Sequence, residues 1–159
     1  MKILVSFENR VRPDSTGVHA IDGLRALGHN VTHVLPENIM SVTGGYDAYI
    51  KVDDGIKSMW NPALHPSAYW IIDTHVEYGW RLEIEEHGQF DAIGLVHSSG
   101  MNLPWKCKNK TWIPVGCTPG KNYVGPRDKI YDGVFIGHFH NNLAGPRIEM
   151  LDTFFKAAR

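Results

Sequence analysis

Four polar clusters in this chain each follow a short apolar run. They are Ser6–Glu8–Asn9 at the end of KILVSF, Asp53–Asp54–Gly55 after YIKV, Asp73–Thr74–His75 after YWII, and His97–Ser98–Ser99–Gly100 after IGLV. If the runs are parallel strands, all four clusters fall at the carboxyl edge of one sheet, where open α/β sheets bind their ligands. Asp73 and His75 are the candidate catalytic pair: a carboxylate and an imidazole two residues apart can orient each other, or deprotonate a substrate hydroxyl. The competing reading has Asp73 capping a helix or bonding loop amides, with His75 merely exposed. Asp53 and Asp54 suit hydroxyl binding better than a metal, because adjacent side chains leaving a strand point apart and no spacing fixes a third ligand; D-D-G is also a common turn. His97 and Ser98 form a polar or anion-binding turn if a helix follows, and an ordinary βα turn otherwise. His138 and His140 have the H-x-H spacing of metal ligands but lack a third partner nearby. Gly137 and Gly145 bracket a loop leading into a helix, a layout that can cradle phosphate without being either glycine-rich fingerprint.

The elements that must position these groups are readable from the apolar pattern. Strands are predicted at Lys2–Phe7, Val31–Leu35, Tyr46–Val52, Ala68–Asp73, Phe90–Val96 and Thr111–Val115. Between the first two, Val18, Ile21, Leu24 and Leu27 recur at a three-residue step, one helical face capped by Ser15 or Thr16 and stopped by Gly28. A second helix is predicted over Glu77–His87, with weak periodicity and Gly79 inside it. Asn102–Cys107 reads as a short helix or turn. The five Trp (60, 70, 80, 105 and 112) read as core or hinge packing, with stacking on sugars or bases as the alternative. The fold class is α/β, a Rossmann-like parallel sheet flanked by helices, with the opening β-α-β crossing right-handed.

Composition excludes several function classes. The chain has 159 residues, 43% hydrophobic and 21% charged, enough to bury a core. Sixteen Lys and Arg against seventeen Asp and Glu give a formal charge of −1, which argues against binding a nucleic-acid backbone or an anionic membrane. The run MKILVSF is too short for a signal peptide or a membrane span, so a cytoplasmic location is expected. Cys107 and Cys117 stand ten apart without a second pair, which fits idle thiols rather than a disulfide framework or zinc site.

Residues 1–117 are the size of one domain, 118–131 (TPGKNYVGPRDKIY) read as a linker, and 132–159 begin another strand, loop and helix. In that helix Pro146 takes the first position, and Ile148, Leu151, Phe154 and Phe155 form the apolar stripe. The expectation is either one lobe of a two-lobed protein with its second lobe cut short, or a last strand and helix that return to the first sheet.

The order YDAYIKVDDG, AYWIIDTH, FDAIGLVHSSG, TWIPVGCTP, KIYDGVFIG and PRIEML resembles the CgeB-like, spore-maturation-type glycosyltransferases over about residues 1–159. The resemblance implies a GT-B fold, two Rossmann-like lobes that transfer a sugar from a nucleotide-sugar to an acceptor hydroxyl, with no essential metal or other cofactor. The amino-terminal lobe would mainly hold the acceptor. By position, Asp53 and Asp54 match the D-D-G corner and Asp73 and His75 the D-x-H corner, with His75 or Asp73 as candidate base. His97 and Ser98 join the acceptor side, while Gly17, Gly137 and Arg147 fall on the donor side. Gly17 is the only glycine of the first loop, ENRVRPDSTG, where many GT-B enzymes have a glycine-rich turn. Only the first βα unit of the donor lobe has a counterpart here, so the chain is expected to be inactive alone, or to be completed by a second chain or another copy of itself. Two other classes fit the same elements. A flavodoxin-like nucleotide-binding module would bind its ligand unaided, and a non-enzymatic interaction lobe would associate through aromatic surface and ignore substitution of Asp73 or His75.

Overall fold

The structure is a computed structural model that describes residues 1–11, 15–74 and 77–116, together with Glu149. The chain divides into two units, Met1–Val124 and Gly125–Arg159, and apart from Glu149 every described residue belongs to the first. His75, Cys117, the 118–131 stretch, Gly137, His138, His140 and Arg147 lie outside the described residues.

Six strands form one sheet: β1 (Lys2–Ser6), β2 (Asn30–Val34), β3 (Ala48–Val52), β4 (Ser67–Ile71), β5 (Ala92–Leu95) and β6 (Lys110–Trp112). Their order is β2-β1-β3-β4-β5-β6, and every neighbouring pair is parallel. Helices α1 (Thr16–Ala26) and α2 (Tyr78–Gly88) flank the sheet. This is the Rossmann-like α/β arrangement that the sequence predicts, with each strand and helix predicted within residues 1–117 overlapping an observed one; apart from Glu149, the strand, loop and helix predicted over 132–159 lie outside the described residues. The predicted Asn102–Cys107 turn is replaced by a 3-10 helix a few residues earlier, Ser98–Asn102, and a second 3-10 helix, Pro36–Ser41, follows β2.

Side chains alternate across the strands, so the sheet has two apolar faces. Ile3, Val5, Phe7, Val31 and Val52 pack with Ile21 of α1 on one face. The expected α1 stripe holds through Leu24 but not Leu27, which is 75% exposed because the helix ends at Ala26 and the chain turns away at Gly28, φ +83°. Leu4, Tyr49, Tyr69, Ile71, Ile93 and Leu95 cover the other face, under Ile84 of α2, Ile39 of the 3-10 helix Pro36–Ser41, Trp60 and Phe90. The Trp60–Phe90 and Tyr69–Phe90 ring centroids are 5.3 and 5.2 Å apart, so this half of the core is largely aromatic. Trp60 and Trp105 are buried, as core packing predicts, while Trp112 is 57% exposed.

Lys51 shares the aromatic face by the alternation of β3 and is 1% exposed. Its Nζ donates to Ser58 Oγ at 2.6 Å and lies 5.7 Å from the Tyr69 ring centre. Burial holds the amine below the usual lysine range, with Asp54 and Asp53 opposing the shift. Between the folded and unfolded pKa values the unfolded chain binds more protons, so stability rises with pH through that alkaline window, and below it the full cost of the buried charge is present. Lys51→Met is therefore expected to be more stable at pH 7 by about 1 kcal/mol or more. Urea unfolding at pH 7 and pH 10 checks this: the wild-type gain at high pH should vanish in the variant, and an unchanged pH slope would contradict the assignment.

Candidate functional site

The carboxyl edge is built where the chain switches faces. β1 leads to α1 on one face, while the β4 to β5 connection places α2 on the other, so the connections diverge on the two sides of the β1/β3 boundary. Crevices at such a switch point are the usual ligand sites of doubly wound sheets, and β2-β1-β3-β4-β5 is the strand order of the flavodoxin type.

Asp53, the first residue past β3, is 4% exposed and forms a clasp rather than an open ligand. Its Oδ2 accepts from Arg81 Nε at 2.6 Å and from the amides of Ile72 and Asp73 at 3.1 and 3.3 Å. Its Oδ1 accepts from the Gly55 amide at 3.1 Å and Arg81 Nη2 at 3.3 Å. The carboxylate thus ties the ends of β3 and β4 to α2, and its lone pairs are engaged. Arg81, 3% exposed, also stacks over Trp80 at 4.0 Å. Asp54 turns the other way, as adjacent residues leaving a strand do: one oxygen accepts the Glu8 amide at 2.6 Å and the other the Ile56 amide at 3.0 Å. Asp73, beyond β4, keeps its side chain 48% exposed, with Oδ2 3.9 Å from Arg81 Nη2.

These groups converge with the amino terminus of α1. Ser15, Thr16, Asp53, Asp54, Gly55, Ile72 and Asp73 line one crevice of about 170 Å³. Ser15 occupies the N-cap position (φ −63°, ψ 157°), but its side chain makes no capping bond. The residue is 7% exposed and its Oγ is buried without a hydrogen-bond partner. A buried hydroxyl left without a partner costs stability.

The remaining sequence candidates divide. Gly17 is buried against Phe7: a Cβ there would lie 2.2 Å from the ring, so its role in the described structure is close packing of α1 on β1. His97 is half-buried at the head of the 3-10 helix Ser98–Asn102, and Ser98 is exposed. Both sit beyond β5, as predicted from the strand, but neither lines the crevice. A five-residue 3-10 helix also lacks the aligned amide dipoles of a longer helix. The crevice therefore gathers Asp53, Asp54 and Asp73, and leaves His97 and Ser98 outside.

No family model, curated protein or solved structure matches this chain. The functional reading therefore rests on the site itself.

Farther along the same edge, Glu8, Arg10, Pro36, Glu37, Met40, Ile56, Ser58 and Met59 line a second depression of about 370 Å³. Arg10 grips Glu8 through Nε at 2.9 Å and Nη2 at 2.5 Å, and meets Glu37 at 2.8 Å. That guanidinium holds the Glu8 carboxyl down to about 2. Two features here lay beyond sequence reasoning. Arg81 sits inside a helix 28 residues from its partner, with no local pattern to couple them. Ser15 was legible as a cap, and what frees its hydroxyl is the missing cap bond.

Proposed function

We propose that this chain supplies the acceptor-side lobe of a GT-B-type glycosyltransferase, with the switch-point crevice as the sugar-facing site. The observation that carries the reading is the convergence of the Asp54 and Asp73 carboxylates, strong acceptors for ligand hydroxyls, in one crevice at the start of α1. The sequence resemblance adds the rest: a nucleotide-sugar donor, an acceptor hydroxyl, and a partner lobe that closes over the crevice. The reaction would form a bond between the acceptor oxygen and the anomeric carbon as the bond to the nucleoside diphosphate breaks. The acceptor proton would pass to Asp73 or His75, and solvent exposure of Asp73 suits a group that exchanges protons with a substrate.

Calorimetric titration of the purified chain with UDP, GDP and their sugar conjugates, repeated with Asp73→Ala and His75→Ala, tests the reading. Binding weakened by either substitution supports it. Binding indifferent to both would remove these residues from the site.

The strand order favours one alternative, a flavodoxin-type nucleotide module. It predicts that FMN or a free nucleotide binds the isolated chain tightly while sugars do not, so adding FMN to the titration separates the two.

A further inference from the structure

We infer that Ser58 and Lys51 form a nucleophile and its base, with Ser58 Oγ attacking the carbonyl carbon of a small neutral ester seated in the depression that Ser58 shares with Met40, Ile56 and Met59. That depression has no lining residue in common with the switch-point crevice, so the inference stands apart from the glycosyltransferase reading.

Three observations carry it. The first is the partner of the buried amine. A buried ammonium ordinarily rests on a carboxylate, and two lie close by at the end of β3. Asp53, however, is locked to Arg81 and to the amides of Gly55, Ile72 and Asp73, while Asp54 holds the amides of Glu8 and Ile56. The Lys51 amine is bonded to a hydroxyl instead, Ser58 Oγ at 2.6 Å, which is the reach of a base on its nucleophile. The second is access. Lys51 is buried in the aromatic face, whereas Ser58 is half-buried and lines the depression, so the base is dry and the hydroxyl is the end that meets a ligand. Serine with a lysine base is one of the recurring variants of the serine nucleophile.

The third observation is the lining. Met40, Ile56 and Met59 leave large apolar side chains exposed around Ser58. Arg10 is the one cationic residue among the described lining residues, and it is paired with both Glu8 and Glu37, which leaves the rim with a net negative charge. An apolar acyl group fits this floor, and an anionic one is repelled.

In the first step the bond from Ser58 Oγ to the carbonyl carbon forms as the hydroxyl proton passes to the unprotonated Lys51 amine. Collapse of the tetrahedral adduct breaks the ester's carbon–oxygen bond, and the departing alcohol takes that proton. Water then hydrolyses the acyl-serine with the same amine as base. Burial favours the unprotonated amine, and Asp54 and Asp53 oppose it, the latter bound to Arg81. Tyr69, whose ring centre lies 5.7 Å from the amine, is held neutral by burial. The rate therefore rises with pH as the amine loses its proton.

The test is labelling of the full chain with an alkyl fluorophosphonate, a neutral probe that leaves a phosphonyl group on an activated serine as fluoride departs. Mass spectrometry of the digested protein is expected to find the label on Ser58, at a rate that rises between pH 7 and pH 9. Lys51→Met, expected above to be the more stable protein, should slow this labelling at least tenfold and flatten its pH dependence, since a positioned general base contributes about 100- to 10,000-fold. p-Nitrophenyl butyrate should be hydrolysed until Ser58 is labelled, and faster than the p-nitrophenyl monoester of glutaric acid, which carries a carboxylate. An unlabelled Ser58 in the folded wild type, or labelling slowed less than tenfold in Lys51→Met, would overturn the inference. No hydrolysis of the butyrate, or faster cleavage of the anionic ester, would overturn its substrate class.

Discussion

Replacing Arg81 with Met is expected to destabilise the protein by about 3–5 kcal/mol, the usual effect of removing one partner from a buried ion pair. The cost comes from what is left behind. The Asp53 side chain is 1% exposed, and without the guanidinium it keeps only its amide donors in a wall that water barely reaches. Because the clasp joins the ends of β3 and β4 to α2, the loss should also loosen the crevice. Amide exchange at Gly55 and Ile72 is expected to accelerate beyond what the global change explains. Asp53→Ala should be similarly severe, and Asp53→Ala with Arg81→Met together should cost clearly less than the sum of the two singles, because the double variant strands no charge. Urea unfolding of the four proteins measures the coupling; additive costs would mean that the pair is not an energetic unit.

The second large effect is expected at Glu85, one turn farther along α2. Its side chain is buried, with Oε1 accepting the Cys107 amide at 2.6 Å and Oε2 the Lys106 amide at 3.0 Å. These two bonds tie the loop before β6 to the helix. Glu85→Ala strands two amide donors and opens a void, for a loss of about 2–4 kcal/mol. A local readout is built in: Cys107 is a partly buried free thiol whose pKa is raised, first by burial. Releasing its loop should make it alkylate faster, under conditions where the wild type and Glu85→Gln, which keeps one acceptor, stay slow. An unchanged Cys107 rate in a destabilised Glu85→Ala would place the anchor elsewhere.

These two residues also show why the sequence yields some elements more readily than others. β1, β3, β4 and β5 announce themselves because most of their buried positions are apolar, on both faces, and α1 because Val18, Ile21 and Leu24 repeat on one side. The inward stripe of α2 is Arg81, Ile84, Glu85 and Gly88, so two of its four buried positions are charged. A helix that buries its charges for tertiary bonds has weak apolar periodicity by construction, which is why Glu77–His87 reads as a hesitant helix although Tyr78–Gly88 is one. The same applies to Lys51, an apparent polar interruption in β3 that is in fact core. At the site, the strand exits placed Asp53, Asp54 and Asp73 on one edge from sequence alone, since parallel strands impose it. Which of them is free and which is locked depended on a partner 28 residues away, and no local spacing encodes that.

Thr16 lines the crevice at the first residue of α1, a position that tolerates a large side chain without breaking helical bonds. The most direct test of the switch-point crevice as the ligand site is therefore calorimetric titration of the wild type and Thr16→Trp with the nucleotide and nucleotide-sugar panel. Binding in the wild type that falls at least tenfold in a folded Thr16→Trp is the predicted result. Equal affinity in the two proteins, or no binding of any panel member by the folded wild type, would contradict it.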